Sequence, residues 1–308
     1  MTASKPMKTL LTIPLCLFIA MAASAAVYTN TPSDKDAFVR ALSPTLNYGG
    51  GGAVSISGTN PTSGNPTNGA FDTFMSFNTR AMATNFNSIF GASNWVVTSA
   101  TMNLTENPAP GNPVFNSGNG RFQIRWIAND TWTEGTGTPM APTMNGITYN
   151  QESTYLNSNI DQDLGVFDFT GATTTPCSLS LPTAFVTNMI AGGEVGFFMT
   201  AIDTSLGVVF YSRSFAGNPK VLPQLVVTAA SPPAISSITP AGPNLVLACT
   251  NGIAGGTYYV LTSTTLNLPA AQWAPMATNV LSASGNFNMT LTNAANISTR
   301  QFYILQTY

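Results

Sequence analysis

The sequence predicts an all-β protein: a jelly-roll-like β-sandwich followed by a small β-sandwich of immunoglobulin or fibronectin type. Three observations carry this. No stretch of the 308 residues sustains a 3.6-residue apolar period. Short runs rich in Val, Ile, Phe and Thr recur instead, each bounded by Gly, Asn, Pro or Ser. The chain is 44% hydrophobic with only three cysteines, so its stability has to come from apolar burial rather than from disulfide staples.

Taken in order, residues 1–26 read as a secretory signal. Lys5 and Lys8 supply a positive start, Thr9 to Met21 a short apolar stretch, and Ala23-Ser24-Ala25 an A-x-A cleavage site. The apolar stretch is too short for a membrane span, which needs about 20 residues, and no second span follows. The expected location is therefore the periplasm, the cell surface or the medium. Strand-like runs follow at Ala53–Ser57, Asp72–Asn78, Trp95–Leu104, Arg121–Ala128, Gly165–Phe169, Glu194–Ile202, Gly207–Ser212 and Gln224–Thr228. Two short helices are expected, at Thr79–Phe90 and Pro182–Ala191. The second has Pro182 near its start, Phe185, Val186, Met189 and Ile190 on one face, and Gly192-Gly193 to stop it. The first domain thus spans 27–229. Residues 230–243, rich in Pro, Ser and Ala, read as a linker. Residues 244–308 hold further runs at Asn244–Cys249, Thr257–Ser263, Gly285–Leu291 and Arg300–Gln306, which make the second domain.

Composition excludes several chemistries. There is no histidine, which removes Ser-His-Asp and Cys-His catalysis, His-ligated metals and imidazole switches. A net charge of −2, with 10 basic and 12 acidic residues, gives no basic footprint for nucleic acid. Beyond the signal, Cys177 and Cys249 lie in different domains and outside any metal-binding spacing; they read as two buried thiols, with a bridge between them as the lesser alternative.

Candidate binding residues come from strand alternation and local clusters. Arg121, Gln123 and Arg125 share one face of their strand, and Phe122, Ile124 and Trp126 the other. Two guanidiniums on an outward face suit an anionic polysaccharide, because the guanidinium fork pairs bidentately with carboxylate or sulfate; the alternative is a solvated face or an internal pair with Asp130 or Glu106. Trp132, between Asp130 and Glu134, is either a sugar-stacking ring with nearby acids or a plug in the sandwich. Asp161 and Asp163, with Asn157 and Asn159, form an oxygen-rich patch suited to a structural calcium; the alternative is a polar loop whose Asx side chains cap turns. Phe210-Tyr-Ser-Arg213 reads either as a Tyr/Arg site or as the edge of a core strand. No motif selects a catalytic acid, base or nucleophile, so the expectation is no enzyme and no cofactor beyond that calcium.

The ordered pieces Asp36-Ala-Phe-Val-Arg40, Asn47-Tyr-Gly49, Phe74-Met-Ser-Phe77, Val97–Leu104, Ile124-Arg-Trp126, Asp130-Thr-Trp-Thr-Glu134, Gly146-Ile-Thr-Tyr-Asn150, Phe167-Asp-Phe169, Phe210-Tyr-Ser-Arg213 and Pro223–Val227 resemble the DNRLRE family of extracellular β-domains, related to the carbohydrate-binding domains of archaeal disaggregatase, over roughly residues 28–229. The resemblance implies a jelly roll, export, and binding of carbohydrate or a cell surface. Tyr149 stands where the family usually has Trp, which makes it a ligand-site candidate with altered preference. Tyr258–Ser263, Trp273, Gly285-Asn-Phe287 and Arg300–Tyr303 are similar to a small β-domain that ends many secreted proteins of Verrucomicrobia and related bacteria. The expected function is a secreted, non-catalytic, carbohydrate-binding or adhesion protein whose partner is a polysaccharide or surface glycan. A structural envelope or matrix protein and a His-independent lyase or glycosidase are the alternatives.

Overall fold

The computed structural model describes residues 25–59, 69–92, 94–108, 118–296 and 300–307. Residues 1–24 of the expected signal lie outside the described residues. The chain is all-β, built of antiparallel sheets packed face to face. In the first sandwich, β1 (Ala26–Asn30), β11 (Gln224–Ala230), β5 (Val96–Thr105) and β8 (Thr174–Leu179) pair in that order. Facing them, β10 (Gly207–Tyr211), β3 (Ala53–Ser57), β4 (Phe71–Asn78), β9 (Glu194–Ala201), β6 (Gly120–Ile127) and β7 (Gln162–Phe169) form a seven-stranded sheet, completed by β2 (Lys35–Arg40) on β4.

The alternating strands point Ala100, Met102, Leu104, Leu225 and Val227 of one sheet at Met75, Phe77, Phe122, Ile124, Phe197 and Met199 of the other, and all of these are buried in one cluster. Two helices that pack on each other close one end of this core. α1 (Arg80–Phe90) inserts Met82 and Phe86, and Phe86 packs against Trp95 at 5.0 Å between ring centroids. α3 (Thr183–Ala191) buries Phe185 and Met189 and stops at Gly192, whose φ of +71° is the left-handed conformation glycine adopts without strain. A short helix, α2 (Glu152–Tyr155), belongs to the long connection between β6 and β7.

β4 is buried on both faces, from Phe71 to Phe77. Its run FDTFMSF lacks clean alternation for that reason: a strand covered on both sides gains nothing from an apolar–polar period. The cover on the far side is the β6–β7 connection, and it determines where a site can form.

The second sandwich is two three-stranded sheets, β12 (Ala234–Ala241), β13 (Asn244–Gly252) and β16 (Gly285–Leu291) against β15 (Ala274–Val280), β14 (Thr257–Ser263) and β17 (Phe302–Thr307). Leu247, Tyr258, Val260 and Leu291 are its buried centre. Here the expected linker is corrected. Residues 234–241 are a strand paired with β13, so the connection shrinks to Ser231-Pro232-Pro233 and the module begins ten residues early. β12 is an edge strand, where a proline such as Pro240 is tolerated because one side of the backbone has no ladder partner.

Cys177 and Cys249 are free, buried, and sit in separate cores. Burial pushes their thiols up to about 12 and about 11. Both are therefore expected to resist a thiol-specific chromogenic reagent at pH 8 in the native protein and to react fully in guanidinium. Fast native-state labelling of either would contradict this packing.

Candidate functional site

The outer face of the seven-stranded sheet is read from the strand register. Cross-strand partners share a face, so Ala37, Phe74, Phe198 and Arg125 form one row and Thr200 and Gln123 lie in the row beside it. Part of this face is buried. Trp132, Ile147 and the partly buried Tyr149, Tyr155 and Leu156, all from the β6–β7 connection, pack on Ala37, Val39, Phe74, Ile127 and Phe198. Phe74 meets Phe198 at 5.0 Å, Trp132 at 5.8 Å and Tyr155 at 6.4 Å between ring centroids. Trp132 is 2% exposed, which corrects its assignment as a sugar-stacking residue: a ring enclosed on both faces has no surface for a pyranose. Lys35 Nζ lies 4.8 Å from its ring centroid and pairs with Glu194 at 2.9 Å.

Polar side chains pin this cover. Asn47 is fully buried and spends its whole amide: Nδ2 donates to the carbonyls of Glu134 (2.7 Å) and Ile147 (2.9 Å), and Oδ1 accepts from the N–H groups of Gly49 and Gly137. Backbone crowds so closely here that a Cβ on Gly49 would stand 2.0 Å from the Glu134 carbonyl oxygen. Glu134 accepts the Asp36 N–H at 3.0 Å and pairs with Arg213. Asp36 accepts from Ser33 Oγ (2.7 Å) and the Arg213 N–H (2.8 Å), and its other oxygen is buried without a partner. Burial pushes the Asp36 carboxyl up to about 6. Pieces scattered over the sequence, around residues 36, 47, 134 and 213, therefore meet as one fold-bearing knot. Phe210-Tyr-Ser-Arg213 is a core strand edge, with Phe210 and Ser212 buried and Tyr211 against Phe215.

The rest of the face is open. Arg121 is exposed and held by Asp203, through Nη2–Oδ1 at 2.8 Å, Nε–Oδ2 at 3.1 Å and its own N–H to Oδ2 at 2.9 Å. This hydrogen bonding holds the Asp203 carboxyl below the usual range. Asp203 takes the place expected of Asp130 or Glu106. Arg125 is half-buried and has no ion pair among the described residues. Three residues of strand lie between Arg121 and Arg125, which places their backbones about 13 Å apart along β6. Between and beside them stand Gln123, Thr200 and the exposed Val166 and Ile202.

Where the covered and open parts meet, Asp72 of β4 faces Glu152 of α2. Thr200 lies near Asp72 and favours its charged form, and burial, followed by the charges of Glu152 and Asp72, raises the hydroxyl pKa of Tyr149. Burial and the Asp72 charge push Glu152 up to about 8. Asp72 Oδ1 and Glu152 Oε1 are both buried without an N–H or hydroxyl partner. Tyr149 thus belongs to the edge of the open face, together with three residues that sequence reasoning missed: Asp72, Thr200 and Glu152. Asp72 sat unremarked in an apolar run, and its partner lies 80 positions on, beyond any local signal.

Asp161 and Asp163, the calcium candidates, serve the backbone in this structure. Asp161 spends both oxygens on the N–H groups of Ala128 (3.1 Å) and Asn157 (2.7 Å), and Asp163 Oδ1 accepts from Gly165 (2.9 Å). They cap turns, the other reading of that patch. No group of three or more acids or cysteines suited to a metal occurs among the described residues.

No family model matches the chain, and no curated protein matches it. Among solved structures it is similar to a β-glucuronidase of Bifidobacterium dentium complexed with coumarin-3-O-glucuronide, at 10% identity and a TM-score of 0.23, over 92% of this chain and 48% of that one. A β-1,2-glucanase of Parabacteroides distasonis follows at 10% identity and 0.17, over 92% and 34%. The glycoside hydrolase domain of Endo-D from Streptococcus pneumoniae R6 aligns at 8% identity and 0.15, over 93% and 37%. The chain thus spans less than half the length of each.

The Asp36 carboxyl binds its proton more tightly folded than unfolded. Its stabilising contribution is full below about pH 4 and is lost as pH rises through about 6. Asp36→Asn can keep both accepted hydrogen bonds at its amide oxygen. It is expected to leave the melting temperature near pH 4 almost unchanged and to raise it at pH 8, by roughly 2–3 kcal/mol of stability at most. A variant with the same pH dependence as wild type, followed by calorimetry from pH 4 to 8, would contradict this.

Proposed function

We propose that this is an exported, non-catalytic protein that binds polysaccharide along the open part of the seven-stranded sheet. The observation that carries the reading is the arrangement around Arg125. An unpaired guanidinium stands with Gln123 and Thr200 on a rigid sheet face, among the exposed aliphatic side chains of Val166 and Ile202. Hydroxyl-rich ligands with a carboxylate or sulfate match this set, because the amide and hydroxyl exchange hydrogen bonds with sugar hydroxyls while guanidinium takes the anion. Tyr149 supplies the aromatic edge. The leader at residues 1–26 supports export, and no helix among the described residues is long and apolar enough to cross a membrane.

Two features favour binding over turnover. The carboxyl pair on this face, Asp72 with Glu152, stands close enough for the Asp72 charge to add to burial in pushing Glu152 up to about 8. Retaining glycosidases hold their carboxyls about 5–5.5 Å apart and inverting ones further, to admit the anomeric carbon or a water; a pair that shares a proton admits neither. Arg213, the candidate of the Tyr/Arg reading, is committed to Glu134.

Affinity electrophoresis and calorimetry on neutral and acidic polysaccharides test the proposal. Arg125→Ala is expected to weaken binding of an acidic polymer about fivefold at low salt, and the loss should shrink near 1 M salt, where charges are screened beyond about 3 Å. Arg121→Ala should cost less, because Asp203 already occupies that guanidinium. Absence of binding to every glycan, or release of reducing or unsaturated ends, would overturn the reading.

A further inference from the structure

The connection over the outer face carries a short segment held differently from the rest. It begins at Ile147, whose N–H donates to Thr133 O at 2.8 Å, and ends at Asn157, whose N–H donates to Asp161 Oδ2 at 2.7 Å. Between these fixed points lie a 3₁₀ turn at Tyr149–Gln151, capped by Thr148 and Gln151, and α2. Inside the segment, Asn150 N–H reaches Pro44 O at 3.0 Å, Asn129 Nδ2 reaches Thr154 O at 3.2 Å, and Tyr155 lies edge-on to Phe74. The polar contact it makes with the sheet beneath is the Glu152–Asp72 pair. One carboxyl belongs to the strap and the other to β4, and each leaves a buried oxygen without a partner, which a proton shared between them would satisfy.

We propose that residues 147–156 form an acid-latched strap, closed over the sheet by the proton that Asp72 and Glu152 share and loosened when that proton leaves. The groups facing the pair leave the proton as its neutraliser. Thr200 of β9 lies near Asp72 and favours its charged form; Tyr149 of the strap contributes a neutral hydroxyl whose own ionisation the two acids oppose; Val39 of β2, in register with Asp72, is apolar. No cation is among the groups acting on either carboxyl. Loss of the proton places two like charges in a buried contact, and separating strap from sheet relieves both the repulsion and the desolvation. The strap ends at the edge of the open face and bears Tyr149, so its opening reshapes that face. The inference stands on the strap alone and does not rest on the glycan reading.

The direction with pH follows from linkage. In the closed state the pair holds its proton up to about 8, and a freed glutamate releases it near the ordinary value of 4.5. Opening therefore becomes easier across that window and levels off above it, by up to about tenfold per pH unit for one proton.

Hydrogen exchange on the full chain, with rates corrected for intrinsic chemistry, reads this at the amides of Asn150 and Leu156, against β9 amides as the reference for global unfolding. Protection at the strap is expected to fall from pH 5 to 8 and then to level. In Glu152→Gln the amide can donate to the Asp72 carboxylate and the strap no longer carries a removable proton, so the slope should shrink well below that of wild type. A wild-type strap with pH-independent protection would overturn the proposal, as would a Gln variant with the wild-type slope. Carbon-13 titration of the Glu152 carboxyl in wild type keeps the test decisive if the variant fails to fold. A midpoint several units above 4.5 supports the latch, and a midpoint in the ordinary glutamate range refutes it.

Discussion

The first domain depends on one buried amide. Asn47 holds the carbonyls of Glu134 and Ile147 and the N–H groups of Gly49 and Gly137, so four backbone groups from three stretches of chain meet at one side chain. Each would otherwise be a buried polar group without a partner, at a cost of about 1–3 kcal/mol. With them paired, the β6–β7 connection lies flat on the sheet and can bury Trp132 and Ile147 against Phe74 and Phe198. A sheet with one sandwiched face and one wet face thereby becomes a sheet covered on both sides where β2, β4 and β9 run. The location of the open face is a consequence: it is what the cover does not reach.

The same constraint explains which readings of the sequence fail. Trp132 and Glu134 look like a binding pair because an aromatic beside acids is what a sugar site needs. The chain uses them to hold the cover, the ring as a plug and the carboxylate as acceptor for Asp36 and Arg213. Asp161 likewise stops the cover at its far end by taking two backbone amides. Local composition does not distinguish a polar residue that faces a ligand from one that faces the backbone of a distant loop.

Alternation made much of the architecture legible. Phe122, Ile124 and Trp126 lie in the core and Arg121, Gln123 and Arg125 on the other face, as the period of two requires. The helix at Thr183–Ala191 follows from its glycine stop and its apolar face. Strands with turn-like residues were the ones not seen: β8 contains Pro176, β12 contains Pro240 and β15 contains Pro275, and all three are edge strands, where proline costs little. β1 and β2 are short and interleaved with polar residues, so pairing with β11 and β4 decides them. At the site, the strand supplied Arg121 and Arg125, while Asp203, 82 residues from Arg121, and the Asp72–Glu152 contact arise only from tertiary packing.

Scarcity of cations gives this fold a chemical bias. With 10 basic residues and no histidine in 308, few guanidiniums or ammoniums are at hand to neutralise a carboxylate drawn under the cover. Lys35 and Arg213 serve Glu194 and Glu134. Asp36, Asp72, Asp130 and Glu152 are all pushed upward, in each case chiefly by burial. Where a cation is missing, a proton is the remaining neutraliser, and it is bound more tightly in the folded state than in the unfolded one. Every such group shifts the linkage in the same direction, so the packing over the outer face tightens as the medium becomes more acidic and loosens toward neutrality. An ion-paired carboxylate would do the reverse, as Asp203 does beside Arg121 on the open surface. The covered and open parts of one sheet thus respond to protons with opposite sign.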